Sequence, residues 1–286
     1  MMDERELGAL VTLLEDEDKE ILNHVEDKLL SMGTQVIPFL EKEWMKNSLN
    51  PDVRNKIEDI IHVLQYDLLK DKLLNWKAEG AEDLLEGMML ISNYQYPDLN
   101  IKFLKRKFEQ FYYEAWKEFK NEMGPVDQIK VLNDIMFNKL KFRPNSKNFH
   151  APSNSMINVV LESKKGNPLS LCVIYMLIAQ RLKLPVFGVN LPNLFILTYK
   201  TDSTQFYINV FNNGLIFSTE DIDNYIDQLN LSKSDIFYQP CSNIDIVVRA
   251  LRNLIAAFDK LGEYKKADDV KELLNAVDDS NNSSLE

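Results

Sequence analysis

The chain has 286 residues, of which 45% are hydrophobic and 27% charged, and this length predicts two or three packed units of an ordinary globular protein. Its formal net charge of −11 argues against nucleic acid as a partner, because binding to a phosphate backbone needs a basic stripe that releases counterions. No uncharged apolar run reaches the roughly 18 residues of a membrane span. Two cysteines and three scattered histidines provide neither a disulfide framework nor the spacing of a zinc site, so we expect no metal, no cofactor and a cytoplasmic location.

Residues 1–80 contain short amphipathic segments that predict paired helices. Apolar residues recur at helical spacing in three stretches, ELGALVTLLE (6–15), VIPFLEKEWM (36–45) and VRNKIEDIIHVLQ (53–65). Helices of this length cannot each bury an apolar face alone, so they are expected to stack on one another. The segment is therefore predicted to form HEAT-like helical hairpins.

A longer helical region follows and ends in a polar loop. Three helices are predicted, AEDLLEGMMLIS (81–92), NIKFLKRKFEQFYYEAWKEF (100–119) and PVDQIKVLNDIMFNKLKF (125–142). Lysine and arginine alternate with phenylalanine and leucine in 102–111, which indicates the solvated face of an amphipathic helix rather than a nucleic-acid patch. The stretch RPNSKNFHAPSNS (143–155) is rich in proline and asparagine and predicts a loop.

The central part of the chain combines helices with strands. MINVVLES (156–163) and LSLCVIYMLIAQRLKL (169–184) favour helices, whereas VFGVNLPNLFILTYK (186–200) is strand-like. QFYINVFNNGLIFS (205–218) predicts two strands around an Asn-Asn-Gly turn. A helix packed on a small antiparallel sheet is an α+β core. Thr219 is the expected cap of a further helix over 219–229.

The C-terminal stretch DIVVRALRNLIAAFDKLGEYKKADDVKELLNAV (245–277) predicts a helical hairpin. Its small and apolar residues occupy the contact positions of a tetratricopeptide hairpin, and a single hairpin is expected to pack on the core. The chain is thus predicted to be α+β and predominantly helical. The expected domains are HEAT-like hairpins at 1–80, a core with its helical lead-in at 81–232, a hairpin at 233–277 and a disordered tail at 278–286.

Several motifs between residues 84 and 225 carry a family resemblance. YPDL (96–99), LNDIMFNKLKF (132–142), NSMINVVLESKKGNPLSL (154–171), LKLPVFGVNLPNLFILTY (182–199) and YINVFNNG (207–214) follow one another in the order and spacing of one family. The segment resembles the SirB-type branch of the transglutaminase-like superfamily. That resemblance implies a degenerate papain-like core between a helical leader and a tetratricopeptide-like tail.

The resemblance also implies where a catalytic triad would stand. Active members of the superfamily carry a Cys at the start of the core helix, a His on the next strand and an Asp on the strand after that. The helix start favours the thiolate, the imidazole takes its proton and the carboxylate fixes the imidazole tautomer. These roles fall on Pro168, Leu194 and Asn209, and the last two depart even from the usual pattern of the branch. Leucine cannot exchange a proton and asparagine carries no charge, so all three positions are expected to be vestigial.

Three other side chains near this segment are candidates for chemistry. Cys172 lies one turn after Pro168 on the same helix face, but beyond the first turn and among apolar residues, so we expect a buried core cysteine. Ser170 has no base after it and is expected to cap backbone groups. His150 is expected at the surface, although its loop could reach the cleft from the other side. The amides of 144–155 are more typical of turns than of a peptide site.

These observations leave two functions from different classes. The first is a non-catalytic binding, scaffolding or regulatory module whose protein or peptide partner docks on the helical surfaces or in the former cleft. The second is a cryptic hydrolase or acyltransferase with Cys172 or Ser170 as the nucleophile and His150 as the base. The first is favoured because no histidine follows residue 150, so the superfamily order of nucleophile and then base cannot be built.

Overall fold

The computed structural model describes residues 4–47, 50–120 and 122–278, and its packing divides them into two compact units that meet in sequence between Lys72 and Leu73. Helices dominate both units, and a small antiparallel sheet lies in the second. The predicted α+β, predominantly helical class is therefore confirmed. Within the described ranges, none of the helices combines the length and the apolar character that crossing a membrane requires.

The first unit is built from helices around one apolar core. Helix α1 spans Glu4–Leu13, α2 Lys19–Ser31, α3 Ile37–Lys46 and α4 Pro51–Ala78. Helix α4 extends well beyond the predicted 53–65, because no glycine or proline interrupts the chain between its first residue and Gly80. The buried side chains of the core are Leu7, Val11, Leu14, Val25, Leu29, Val36, Leu40, Val53, Ile57, Ile60 and Leu64.

Three helices form the first part of the second unit: α5 (Leu84–Asn93), α6 (Ile101–Trp116) and α7 (Pro125–Asn133). Helix α6 buries Leu104, Phe108 and Phe111 and leaves most of its basic residues in solvent, as the sequence predicts. Helix α7 continues into a π-helical turn over Asp134–Lys139, so the single helix predicted for 125–142 changes type and ends earlier.

A tight turn between α8 (Ile157–Ser163) and α9 (Pro168–Arg181) sets where α9 begins. Two short strands, β1 (Arg143–Pro144) and β2 (Lys165–Gly166), pair in parallel beside this turn. The Asn167 side chain accepts the Ser170 N–H at 2.8 Å, and the Ser170 hydroxyl oxygen accepts the Asn167 N–H at 3.1 Å. This reciprocal capping box ends the turn and starts the helix.

Helix α9 packs on a four-stranded antiparallel sheet of order β3-β4-β5-β6. The strands are β3 (Val186–Leu191), β4 (Leu194–Lys200), β5 (Gln205–Asn209) and β6 (Leu215–Phe217). Helix α10 (Thr219–Gln228) packs on the sheet face that carries Val189, Ile196 and Tyr207. Ser218, rather than the predicted Thr219, caps α10, because the Ser218 hydroxyl accepts the Asp221 N–H at 3.2 Å while the Asp221 carboxylate accepts the Ser218 N–H at 2.7 Å.

A C-terminal hairpin belongs to the same unit. Helix α11 (Asn243–Leu261) ends at Gly262, whose φ is +74°, and α12 (Tyr264–Val277) returns along it. Helix α11 contacts α5, α9, β3 and the turn at 152–155. The predicted domain borders after residues 80, 232 and 277 remain a proposal, and positions 279–286 of the predicted tail lie outside the described residues.

We expect Gly166→Ala to lower the free energy of unfolding by about 1–3 kcal/mol, because the added Cβ would overlap the Ser170 hydroxyl oxygen and lie 3.0 Å from Val160 Cγ1. Ser170→Ala alone should cost about 1 kcal/mol through the lost cap. In the Gly166→Ala background it should cost less, since it removes the obstructing oxygen. Urea unfolding of the four proteins measures this coupling, and strict additivity would contradict the packing of the turn.

Candidate functional site

A cleft of about 240 Å³ opens at the start of α9, where the family resemblance places the vestigial nucleophile position. Pro168 and Leu169 of α9 form its floor, and the loop that carries His150 forms one side. The turn between β3 and β4 and the middle of α11 complete the wall. The site is therefore assembled from four segments of the second unit that are far apart in sequence.

The loop that carries His150 is held in place by buried amides. Asn154 is 2% exposed, and its Nδ2 donates to the carbonyl oxygens of Asn148 at 2.7 Å and Phe149 at 2.9 Å. Its Oδ1 accepts from Asn145 Nδ2 at 2.7 Å. These amides satisfy carbonyl groups of the loop, and the exposed His150 lies at the edge of the cleft.

The three positions that the family resemblance assigns to a catalytic triad do not lie together in the cleft. Pro168 lines it as the first residue of α9. Leu194 begins β4, but its side chain packs into the apolar cluster under α10, while Asn193 and Phe195 on either side of it line the cleft. Asn209 ends β5, and its side chain accepts a backbone N–H of the following turn at 3.1 Å. The structure thus brings only the first of the three to the cleft wall.

The two candidate nucleophiles lie inside α9, beneath the cleft. Cys172 is 0% exposed, and its thiol donates to the carbonyl oxygen of Phe195 at 3.6 Å. Burial raises the pKa of this thiol far above its usual range, which disfavours the reactive thiolate. Ser170 is 1% exposed, and its hydroxyl is engaged with the backbone of Asn167. His150 lines the cleft, whereas Cys172 and Ser170 are not among the lining residues.

Two lining residues on α11 were not singled out by the sequence. Arg249 is half-buried and donates from Nη1 to Asn190 Oδ1 at 3.0 Å, and Asn253 lies one turn further along the same helix face. Both polar residues interrupt a helix that otherwise buries Ile246 and Ala250 on its inner side. In the sequence, Arg249 and Asn253 can be recognised as two polar residues four positions apart, next to apolar positions that face the core.

Further cavities occur in the described part of the second unit. One of about 210 Å³ lies between α6 and α8, and its lining includes apolar side chains such as Phe103 and Leu161 as well as the charged Lys107 and Glu162. The other is an open depression of about 650 Å³ along the π-helical turn. No three His, Cys, Asp or Glu side chains of the described residues converge as a metal site would require. The cleft at α9 contains Pro168, the position that the family resemblance aligns with a nucleophile.

Residues 102–252 match the transglutaminase-like superfamily. The UPF0162 protein of Xylella fastidiosa is 28% identical over 195 residues, which are 64% of this chain and 68% of that protein. The UPF0162 protein of Vibrio cholerae is 20% identical over 137 residues, 48% of this chain and 51% of the relative. F-box only protein 21 of Homo sapiens is 24% identical over 162 residues, 47% of this chain but 26% of the human protein.

No solved structure matches this chain at a significant level. The superfamily match covers more than half of the chain and contains α9, the sheet and most of the cleft wall. The predicted SirB-type branch is consistent with these relatives. The chain belongs to the transglutaminase-like superfamily.

Proposed function

We propose that this chain is a non-catalytic transglutaminase-like protein that binds a protein or peptide segment in the cleft at the start of α9. The observation that carries the proposal is that the cleft is open while Pro168 stands where a nucleophile would face it. The nearby thiol and hydroxyl of α9 are buried beneath the cleft. A scaffolding or regulatory role, a cytoplasmic location and the exclusion of nucleic acid remain predictions from the sequence.

The composition of the cleft wall supports binding of a peptide. Phe149, Leu169 and Phe195 supply apolar surface, and the amides of Asn193 and Asn253 supply polar groups. Small-molecule and peptide sites combine apolar walls with a few placed polar groups in this way. The hydrogen bonds that hold the His150 loop reduce the entropy that would be lost on binding, because the wall is already ordered.

A second candidate function is a hydrolase or acyltransferase, which one observation favours: His150 lines the same cleft as Pro168. The imidazole would have to act on the thiol of Cys172 or the hydroxyl of Ser170. Both groups are buried and hydrogen-bonded to the backbone, so the first turn of α9 would have to open before either could attack a substrate. The binding function needs no such rearrangement.

We expect Cys172 to be alkylated only when the protein unfolds, because its thiol is fully buried and burial raises its pKa. The Cys241→Ser variant isolates this thiol, and mass spectrometry after iodoacetamide treatment at about pH 8 measures the labelling rate in native buffer and in urea. Cys172→Ala serves as the matched control for Cys241, which is partly exposed and whose pKa burial raises to about 12. Faster labelling of Cys172 in the folded than in the unfolded chain would favour the hydrolase.

Peptides selected by phage display on the full chain should lose affinity for Ala256→Trp by about ten-fold or more, because the exposed Ala256 lines the cleft and an indole would fill it. Ala9→Trp is the control, since Ala9 is an exposed helical alanine of α1 outside the cleft lining. Equal loss for both variants, or no loss for either, would contradict the cleft as the binding site. Cleavage of a selected peptide that stops in Cys172→Ala or Ser170→Ala would establish the alternative.

A further inference from the structure

The cleft lining contains basic side chains but no acidic ones among the described residues. The basic groups are the guanidinium of Arg249 and the imidazole of His150. The whole chain has 44 acidic and 33 basic residues, so this wall departs from the acidic average of the protein. A cavity that contains a cation and lacks its own counter-ion favours an anionic ligand.

Arg249 is fixed at the cleft by neutral acceptors. Its Nη1 donates to Asn190 Oδ1 at 3.0 Å and to the carbonyl oxygen of Leu191 at 3.5 Å. It forms no ion pair within the described part of the chain, whereas Arg252 on the same helix pairs with Asp278 at 2.7 Å. Burial, and then the charge of Arg252, lower the pKa of Arg249, as expected for a cation without a compensating carboxylate. A guanidinium has five N–H donors, and both hydrogen bonds of Arg249 use Nη1, so Nε and Nη2 make no hydrogen bond to a described residue.

Two amides flank the guanidinium in the cleft. Asn193 lies in the β3–β4 turn with φ at +58°, and Asn253 lies one helical turn after Arg249. Neither side chain makes a hydrogen bond to another described residue. A carboxamide offers both an acceptor and two donors, which is the complement of a peptide group. The wall therefore presents one charge and two neutral groups that the fold itself does not use.

The size of the cleft limits what can enter. Its volume of about 240 Å³ corresponds to roughly eight water molecules at about 30 Å³ each, which is room for about one or two amino-acid residues. The apolar surfaces of Phe149, Leu169 and Phe195 face that space. A short peptide portion with an apolar side chain next to a negative group matches both the volume and the lining.

We propose that the cleft binds a carboxylate of a peptide, with Arg249 pairing with the carboxylate oxygens and the amides of Asn193 and Asn253 bonding the adjacent peptide group. This inference rests on the proposed function and names the chemistry of its ligand. A bidentate guanidinium–carboxylate pair adds geometric selectivity as well as affinity. The carboxylate belongs either to a chain terminus or to an acidic side chain, and the experiment separates the two sources.

The test titrates the ¹⁵N-labelled full chain with three acetylated tripeptides: Gly-Ala-Leu with a free carboxyl terminus, the same sequence as its C-terminal amide, and the amide of Gly-Asp-Leu. The free acid should produce a saturable shift of the Arg249 Nε–H signal and of backbone signals around Asn193. The neutral amide should bind about ten-fold or more weakly, because it lacks the charge-assisted pair. If Gly-Asp-Leu amide binds as well as the free acid, a side-chain carboxylate is sufficient for binding. If it binds more weakly, the carboxylate of a chain terminus is the preferred ligand.

Arg249→Gln should weaken binding of the free acid by about ten-fold or more. Arg252→Gln is the matched control, since it makes the same change of net charge on the same helix at a residue outside the cleft lining, and it should change the affinity by less than about two-fold. Arg249→Lys keeps the charge but loses the planar fork and should give an intermediate loss. The comparison of acid and amide on the unaltered protein does not depend on how well any variant folds.

Equal binding of the acid and the neutral amide, or wild-type affinity in Arg249→Gln, would overturn the carboxylate inference and leave peptide binding in the cleft intact. A lack of saturable shifts with all three peptides at millimolar concentration would also overturn it, and the phage selection with Ala256→Trp judges the proposed function separately. Cleavage of a tripeptide during the titration would instead overturn the proposed function itself.

Discussion

The start of α9 depends on the reciprocal hydrogen bonds between Asn167 and Ser170, because these bonds decide which backbone N–H groups of the first helical turn remain available to the cleft. A helix terminus has free N–H groups that can support a thiolate or an oxyanion. In this chain the first helical residue is Pro168, which has no N–H, and the N–H of Ser170 is taken by the Asn167 side chain. The close approach of Gly166 to the Ser170 oxygen makes this arrangement tight. Two of the first three positions of α9 therefore have no free N–H to offer to the cleft.

The surroundings of α9 make its start a rigid platform. Residues Leu169–Met176 are buried without interruption, and the helix contacts the sheet as well as α6, α8 and α11. The loop at 149–155 is tied to the same region through the buried Asn154. Because these walls are packed and hydrogen-bonded, binding under the proposed function would require little ordering of the protein. Packed walls are as useful for binding a ligand as for positioning catalytic groups. The proposed loss of catalysis is therefore compatible with an intact cleft.

Local signals in the sequence were sufficient for much of the fold. Apolar periodicity located α9 and the C-terminal hairpin, and the Asn-Asn-Gly turn located the strands on either side of it, because each depends on neighbouring residues. The length of α4 was underestimated because a periodic pattern does not say where a helix stops when no breaker is present. The cap of α10 was assigned one residue late because adjacent Ser218 and Thr219 are both good caps, and the return bond from Asp221 decides between them.

The site was predicted less completely than the fold. The position of Pro168 follows from the family resemblance, which aligns it with the superfamily nucleophile at the start of the core helix. Leu194 required knowing which face of β4 it occupies, and in a strand adjacent residues point to opposite faces, so Asn193 and Phe195 reach the cleft instead. Arg249 approaches the cleft only through tertiary packing of α11. No spacing rule along the chain connects it with a turn more than fifty residues earlier.

Helix α11 contributes to the cleft wall on both sides of the end of the superfamily match. The superfamily match ends at residue 252, so Asn253 and Ala256 lie beyond it, yet they border the same space as Pro168. The row at positions 249, 253 and 256 lines the cleft, whereas Ile246, Ala250 and Leu254 are buried and anchor the helix. Under the proposed function, substitutions at these three positions would change the ligand preference of the cleft, while the buried residues that hold the helix in the fold stay the same.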